Sequence, residues 1–188
     1  NPEDISCDAV ICTHNHLDHL DPDTVERINE NQFYITTNEG KAELLRLGRT
    51  NVKALNTGDS VTVGDFNITA VFADHTAFGL IVKAEGKTLY FSGDTLFNEK
   101  LFGIAEYKPD YTFICINGRL GNMNVKEALI TAEKIGAAVN IPNHYDMFES
   151  NSENPALFTE NIKGGKTLEL GIYCLSGSII CIKALTLW

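Results

Sequence analysis

Four side chains of the kind that bind metal ions lie within six residues near the start of the chain. His14 and His16 are two residues apart in an extended segment that leaves an apolar run, so both rings can project to one side. Asp18 and His19 follow where the chain bends toward the next helix. This spacing predicts a site for two metal ions, with His14 and His16 on one ion and Asp18 and His19 on the other.

Three further candidate ligands follow predicted strands elsewhere in the chain. His75 ends the run Val71 to His75, Asp94 follows Leu89 to Gly93, and His144 follows Val139 to Asn143. Active-site groups gather at strand ends because the sheet fixes their positions while the loops leave room for a ligand. Either histidine alone could be a hydrogen-bonded core residue. The chain has only five histidines, however, and none lies elsewhere, which favours one common site.

The elements that would position these residues alternate between strands and helices. An apolar run over residues 8–13 predicts a buried strand, and Asp21 then caps a helix with Pro22 at its first position. A second strand at 33–37 and a helix at 41–48 follow.

The middle of the chain, over residues 52–92, has a β pattern with turns at Gly64-Asp65 and Glu85-Gly86. A β-rich centre with α/β flanks indicates an α/β fold in which sheets pack together and helices cover them. The remaining expected elements are a strand at 111–116, a helix capped by Asn124 that runs through Ile135, a strand at 137–141 that Pro142 ends, and one or two strands over 167–185.

Composition narrows the class of protein. The 188 residues are 44% hydrophobic and 21% charged, which is typical of one folded domain over 1–188 rather than a disordered chain. The formal net charge of −10 argues against nucleic acid as a partner, and the short apolar runs argue against a membrane partner. Five cysteines without a CxxC pair are typical of a reducing compartment, so we expect a cytoplasmic protein.

The histidine motif, the later histidines and Asp94 together resemble the metallo-β-lactamase superfamily, over about residues 5–155. The strings Asp94–Phe97, Asn117–Asn124 and Pro142–Phe148 resemble the L-ascorbate-6-phosphate lactonase branch of bacterial cytoplasmic enzymes of ascorbate utilisation. The resemblance implies an αββα sandwich. The motif of the superfamily is highly specific, whereas the branch rests on the less universal strings.

The same resemblance implies a role for each candidate ligand, and catalytic roles for Asp18 and Asp94 among them. The lactonase branch implies manganese, whereas the residues themselves suit Mn²⁺, Zn²⁺ or Fe²⁺. The expected ligands are His14, His16 and His75 for the first ion, Asp18, His19 and His144 for the second, and Asp94 as a bridge between the two ions.

The implied reaction is hydrolysis of a phosphorylated lactone such as L-ascorbate 6-phosphate, by attack of a metal-bridging hydroxide. Arg119 is the candidate that binds the phosphate, since a guanidinium suits this anion; it could equally be an exposed residue of a glycine-rich loop. Asn117 and Asn122 could orient substrate hydroxyls, and Tyr145, which adjoins His144, completes the expected substrate contacts.

Two alternatives remain open at this point. The same di-metal site could serve a phosphodiesterase or RNase, or the chain could be a truncated domain that binds metal without turnover. Only thirteen residues precede His14, whereas the superfamily places several strands there. We therefore expect missing N-terminal strands and an exposed sheet edge, which would favour a homo-oligomer. The segment after about residue 162 also departs from the family pattern.

Overall fold

The computed structural model describes residues 2–4, 7–146 and 149–168. The chain divides into two compact units, residues 1–54 with 168–188 and residues 55–167. The strands expected over 167–185 lie almost wholly outside the described residues, and the single domain expected over 1–188 stays a prediction. Within the part that is described, no helix is long and apolar enough to cross a membrane.

The first unit contains a three-stranded parallel sheet in the order β1-β2-β3. Its core includes the buried residues Val10, Cys12, Leu20, Val25, Ile28, Tyr34 and Leu44. The elements of this unit, in chain order, are β1 (Val10–Ile11), α1 (Pro22–Arg27), β2 (Tyr34–Thr36), α2 (Asn38–Arg46) and β3 (Val52–Ala54).

Side-chain caps decide where the two helices of this unit begin. Asp21 accepts a hydrogen bond from Thr24 N at 3.0 Å, so α1 begins at the predicted position. The second helix begins three residues earlier than predicted, because Thr37 caps it by accepting from Gly40 N at 3.0 Å. The strand expected over 8–13 is shorter, with β pairing only at Val10–Ile11.

The second unit contains a six-stranded sheet in the order β4-β5-β6-β7-β8-β9. The first four strands pair antiparallel, whereas β7, β8 and β9 run parallel. The strands are β4 (Ser60–Val63), β5 (Phe66–Val71), β6 (Gly79–Ala84), β7 (Lys87–Phe91), β8 (Tyr111–Cys115) and β9 (Val139–Asn143).

Helical segments cross between the parallel strands. A 3-10 helix at Glu99–Tyr107, which the pattern did not predict, joins β7 to β8, and α3 (Val125–Ile135) joins β8 to β9. A short helix, α4 (Ala156–Thr159), follows. A further 3-10 helix lies at Glu149–Asn151. The buried core of this unit includes Tyr90, Leu101, Ile114, Ala132 and Phe158, which come from the sheet, from the 3-10 helix Glu99–Tyr107, and from α3 and α4.

Both predicted hairpin turns are confirmed. Gly64 has φ +55° between β4 and β5, and Glu85 and Gly86 both have positive φ between β6 and β7. The predicted end of the last strand at Pro142 is wrong, because β9 continues to Asn143 and Pro142 pairs with Ile114. Among the described strands, β9 is the last of the sheet, where a residue without an N–H is tolerated.

Replacing Asn124 with alanine should destabilise the fold through the start of α3. Asn124 accepts from Glu127 N at 3.0 Å, and Glu127 accepts from Asn124 N at 3.0 Å, which is a complete capping box. Loss of such a cap costs about 1 kcal/mol, so we expect Tm to fall by about 2–4 °C. An Asn31→Ala variant, in an exposed turn, is the matched control. A Tm equal to the wild type in Asn124→Ala would contradict this account.

Asp110 should make stability depend on pH. The backbone N–H of Thr88, at 2.9 Å, and the ammonium of Lys87, at 3.2 Å, hold the pKa of this carboxyl below its usual range. A carboxyl whose pKa is lowered by folding stabilises the fold above its unfolded pKa, of about 3.9. That contribution is lost as the pH falls through the folded pKa. In urea unfolding at pH 7, Asp110→Asn should therefore have a lower free energy of unfolding than the wild type, and this difference should shrink below about pH 4. A difference that grows in acid would contradict this account.

Candidate metal centre

The histidine motif of the first unit closes into a tight turn. The backbone N–H groups of His19 and Leu20 both donate to His16 O, at 2.9 and 2.8 Å. This turn brings the three imidazoles of the motif together. His14 Nε2 lies 2.9 Å from His16 Nδ1, and the ring centroids of His14 and His19 are 4.2 Å apart.

The spacing of these ring nitrogens fits a shared metal ion. Two nitrogens bound at about 2.1 Å to one ion lie roughly 3.0–3.4 Å apart, for bond angles between square and tetrahedral. The 2.9 Å between His14 Nε2 and His16 Nδ1 is close to the short end of this range. Asp18 Oδ2 lies 3.6 Å from His19 Nε2, slightly beyond the long end. The structure therefore brings His14 close to His16 and Asp18 close to His19.

Thr13, which sequence reasoning missed, sits behind this cluster. Its hydroxyl lies 3.1 Å from His14 Nδ1 and 3.4 Å from His19 Nδ1. A hydrogen bond at Nδ1 fixes the orientation of a ring and leaves Nε2 to bind a metal. The signal available in the sequence was only the position of a hydroxyl residue directly before His14.

Asp94 is the central ligand candidate of the second unit. Its side chain is buried, and Oδ1 lies 3.2 Å from Nε2 of the buried His144. A ligand atom of His75 lies within 4.8 Å of one of Asp94. One carboxylate therefore has a histidine from each of two other loops beside it, which is the arrangement that a bridging role requires.

Sheet topology explains why these loops meet. Asp94 follows β7 and His144 follows β9, and both strands lie beside β8 in the same parallel direction. The carboxyl ends of parallel neighbours share one edge of the sheet. His144 leaves β9 at φ +55°, a left-handed conformation that is uncommon for residues other than glycine. Such strain gathers at functional sites.

Thr95 joins the Asp94 loop to two other loops. Its hydroxyl accepts from Asp74 N at 2.8 Å, next to His75, and its own N–H donates to Asn122 Oδ1 at 3.0 Å. The amide oxygen of Asn122, a predicted substrate contact, is thus used inside the protein. Asn122 acts as a positioning residue for the Asp94 loop. Sequence reasoning missed Thr95, which offered no signal beyond its place after Asp94.

Asp74 supports the same loop from the other side. Its Oδ2 accepts from Asn98 Nδ2 at 2.9 Å, and its carbonyl accepts from Leu96 N at 3.3 Å. The carboxylate of Asp74 therefore holds the segment after Asp94.

Gly121 allows the loop between β8 and α3 to touch the ring of His75. A Cβ on Gly121 would lie 2.8 Å from His75 Cδ2 and 2.9 Å from its Nε2. Its φ of +94° also favours glycine. On the opposite side of the ring, the hydroxyl of Thr76 lies 3.2 Å from Nδ1. The ring is thus held between Thr76 and a backbone surface that only glycine provides.

The other predicted substrate contacts differ in accessibility. Arg119 is exposed, and its Nη1 donates to Ser150 O at 2.6 Å. Asn117 is buried, and its Nδ2 donates to Asn151 Oδ1 at 3.1 Å. Tyr145 is half-buried against the core of this unit. Arg119 is therefore the most accessible of the three.

Two of the three cysteines in the described part of the chain are buried. Cys12 and Cys115 are buried, and burial raises their pKa to about 12 and about 11. Cys115 Sγ also lies 3.7 Å from Thr95 O, on the loop after Asp94. The described donors that face one another as possible metal ligands are imidazoles and carboxylates. Such a donor set suits Zn²⁺, Mn²⁺ and Fe²⁺, so these residues fit a metal-dependent enzyme.

Comparisons with known proteins identify the family of the chain. A family model described as a beta-lactamase superfamily domain matches residues 2–145. A UPF0173 metal-dependent hydrolase of Methanosphaera stadtmanae is 30% identical over 179 residues, which cover 86% of this chain and 76% of that protein. A second such hydrolase, of Bacillus cereus, is 30% identical over 189 residues, which cover 90% of this chain and 82% of that protein.

A solved structure has the same fold. Igni18, a metallo hydrolase of Ignicoccus hospitalis, superposes with a TM-score of 0.77 at 24% identity, over 90% of this chain and 79% of that one. The α/β, metallo-β-lactamase-like fold expected from the sequence is thereby confirmed, and so is the resemblance to the superfamily; the lactonase branch stays a prediction. The chain belongs to the beta-lactamase superfamily, as a metal-dependent hydrolase.

Proposed function

We propose that this hydrolase opens the lactone ring of a phosphorylated sugar acid, such as L-ascorbate 6-phosphate, with the help of two divalent ions. The observation that best supports a site for two ions is the position of Asp94. Its buried carboxylate lies 3.2 Å from His144 Nε2 and also beside His75. A carboxylate between two imidazoles of one unit offers one oxygen to each of two ions.

The proposed ligands divide into two sets around Asp94. The pairing of donors within the first unit, at 2.9 Å for His14 and His16 and at 3.6 Å for Asp18 and His19, supports this division. The first ion would be held by His14, His16 and His75, the second by Asp18, His19 and His144, and Asp94 would bind both. Manganese or zinc suits these donors.

Bound divalent ions lower the pKa of water and stabilise negative charge that develops on a carbonyl oxygen. The residues of this chain orient the reacting groups around that chemistry. The hydrogen bonds of Thr95 to Asp74 N and Asn122 Oδ1 hold the loop directly after Asp94, so the backbone that carries this carboxylate is fixed. The proton that the attacking water loses would pass to the ring oxygen that leaves, carried either by Asp94 or by water, and we assign to Asp18 a supporting catalytic role.

The guanidinium of Arg119 supports the proposal that the substrate is phosphorylated. Only its Nη1 forms a hydrogen bond to the described part of the chain, to Ser150 O. The remaining N–H groups of the guanidinium can bind two oxygens of a phosphate side by side. Tyr145 and the amide of Asn117 complete the proposed contacts. The expected homo-oligomer and the absence of nucleic-acid and membrane partners remain part of this proposal.

Metal analysis together with a substrate comparison tests the function. The purified protein, loaded with Mn²⁺ or Zn²⁺, should contain about two equivalents of metal and should hydrolyse L-ascorbate 6-phosphate lactone. Bis(p-nitrophenyl) phosphate should react much more slowly. Preference for the phosphodiester would favour a phosphodiesterase instead, and bound metal without turnover of either compound would indicate a non-catalytic domain. A His16→Ala variant with full activity would reject the proposed site.

A further inference from the structure

The loop that joins β8 to α3 holds Leu120 in an unfavourable conformation. Leu120 has φ +53°, in the left-handed region that residues with a branched side chain rarely adopt. Its side chain is 79% exposed, the highest value among the large hydrophobic residues of the described chain. Within the described structure, burial of the Leu120 side chain therefore does not offset the backbone strain.

Several contacts keep this loop in place in spite of the strain. Gly118 N donates to Met123 O at 2.9 Å, and Met123 N donates to Thr95 O at 2.9 Å. The guanidinium of Arg119 donates to Ser150 O at 2.6 Å. Strained residues persist where the surrounding structure over-determines them, and they gather at functional sites. The exposed position of Leu120 is thus a consequence of a well-anchored loop.

The position of Leu120 connects it with the candidate metal centre. The next residue, Gly121, is the one that touches the ring of His75. A second exposed leucine, Leu96, lies two residues after Asp94 and is 49% exposed. Its loop is joined to that of Leu120 through the hydrogen bond of Met123 N to Thr95 O. Two exposed apolar side chains therefore stand on the two loops that position His75 and Asp94.

We propose that Leu120, together with Leu96, contacts the carbon face of the substrate ring, and so strengthens the binding of ligands that present apolar area there. This inference rests on the proposed hydrolase function. The backbone of Leu120 is already held by its loop, so covering the side chain orders only the side chain itself, and the apolar area removed from water adds to affinity. In a lactone, the covered group is the carbon face of the ring.

Binding of simple carboxylates, which stand in for hydrolysis products, tests the inference without turnover. Titration calorimetry on the Mn²⁺-loaded protein should show hexanoate binding about tenfold or more tightly than acetate, because its longer chain buries additional CH₂ groups. In Leu120→Asn, the preference for hexanoate should fall by about threefold or more, with the Kd for acetate little changed. An unchanged preference, or a wild-type protein that does not distinguish the two acids, would overturn the inference.

A second measurement separates substrate contact from a structural role. Asparagine tolerates positive φ better than leucine, so Leu120→Asn should have a Tm equal to or above that of the wild type. Leu45→Ala, which changes a 48% exposed leucine on α2, is the control and should leave the acid preference unchanged. A Tm clearly below that of the wild type would show that Leu120 packs structurally. A lower molecular mass in light scattering would show that it contacts a second copy, and either result would overturn the inference.

The outcomes also distinguish this inference from the proposed function. If the loaded protein prefers hexanoate through Leu120 but hydrolyses no lactone, the proposed function fails and the contact stands. The other comparison uses the ratio of the hydrolysis rates of an alkyl-substituted and an unsubstituted lactone. If both proteins hydrolyse lactones and this ratio is the same in the wild type and in Leu120→Asn, the function stands and the contact fails.

Discussion

The variant Asp94→Asn should lose both metal ions and nearly all hydrolytic activity. Asparagine keeps the volume of the side chain but removes the charge that a bridging ligand supplies. Mutation of residues that hydrogen-bond to metal ligands typically lowers metal affinity or activity by about 10–100-fold. Loss of a ligand shared by two ions should have a larger effect. Metal content by mass spectrometry and kcat on the lactone measure the two effects.

The thermal stability of the same variant gives an independent readout. Metal that binds only the folded wild type at about 100 times its Kd adds about 2.7 kcal/mol to the free energy of unfolding. For a chain of this size, such a gain raises Tm by about 5–10 °C. In Asp94→Asn we expect this rise to disappear. In the absence of metal, Tm should not fall below that of the wild type, because the substitution removes a buried charge.

Asp110→Asn is the matched control for this experiment. It makes the same chemical change at a carboxylate whose partners are Thr88 N and Lys87. We expect it to lower stability and to leave metal content and the metal-dependent rise of Tm unchanged. An Asp94→Asn variant that keeps two ions and full activity would refute the bridging role.

The variant Gly121→Ala should weaken metal binding by displacing His75. The added Cβ would lie 2.8 Å from Cδ2 and 2.9 Å from Nε2 of this ring, distances at which one of the groups must move. The ring is the group that can move, because the loop of Gly121 is anchored through Asn122 and Met123. We expect metal affinity to fall by about 10–100-fold, with kcat/KM falling in parallel.

Gly58→Ala separates the contact with His75 from the cost of backbone strain. Gly58 has φ +97°, close to the +94° of Gly121, but a Cβ there meets nothing within 4 Å. Both variants should lose about 1–2 kcal/mol of stability through the left-handed backbone. Only Gly121→Ala should lose metal affinity, as followed by competition with a chelator. Equal metal affinity in both variants would show that Gly121 does not position the histidine.

The local features of the chain were largely predictable, because short-range chemistry decides them. The cap at Asp21 and the turn at Glu85-Gly86 follow from side chains that satisfy neighbouring backbone groups. The start of α2 was misplaced because the cap residue, Thr37, directly follows β2. The continuation of β9 through Pro142 was missed because only the order of the described strands shows that β9 lies at the edge of its sheet.

Residue type and spacing alone also indicated the donors of the site. The motif from His14 to His19 needs only an extended segment followed by a turn to bring its donors together. The structure has this turn, which closes on the carbonyl of His16. Because histidine is scarce in the chain, His75 and His144 were then the remaining imidazole candidates for the same site. These inferences depend on side-chain chemistry and on separations of a few residues, which a sequence contains in full.

Contacts between distant residues were decided only by the tertiary structure. The register and order of β7, β8 and β9 set Asp94 beside His144 at 3.2 Å, across 50 residues of chain. The same packing brings Gly121 against His75 and commits the amide oxygen of Asn122 to Thr95. No local pattern encodes these partners, because strand pairing is selected by the burial of a whole core. The sequence by itself thus determined which groups could bind metal, and the fold decided which neighbours hold them in place.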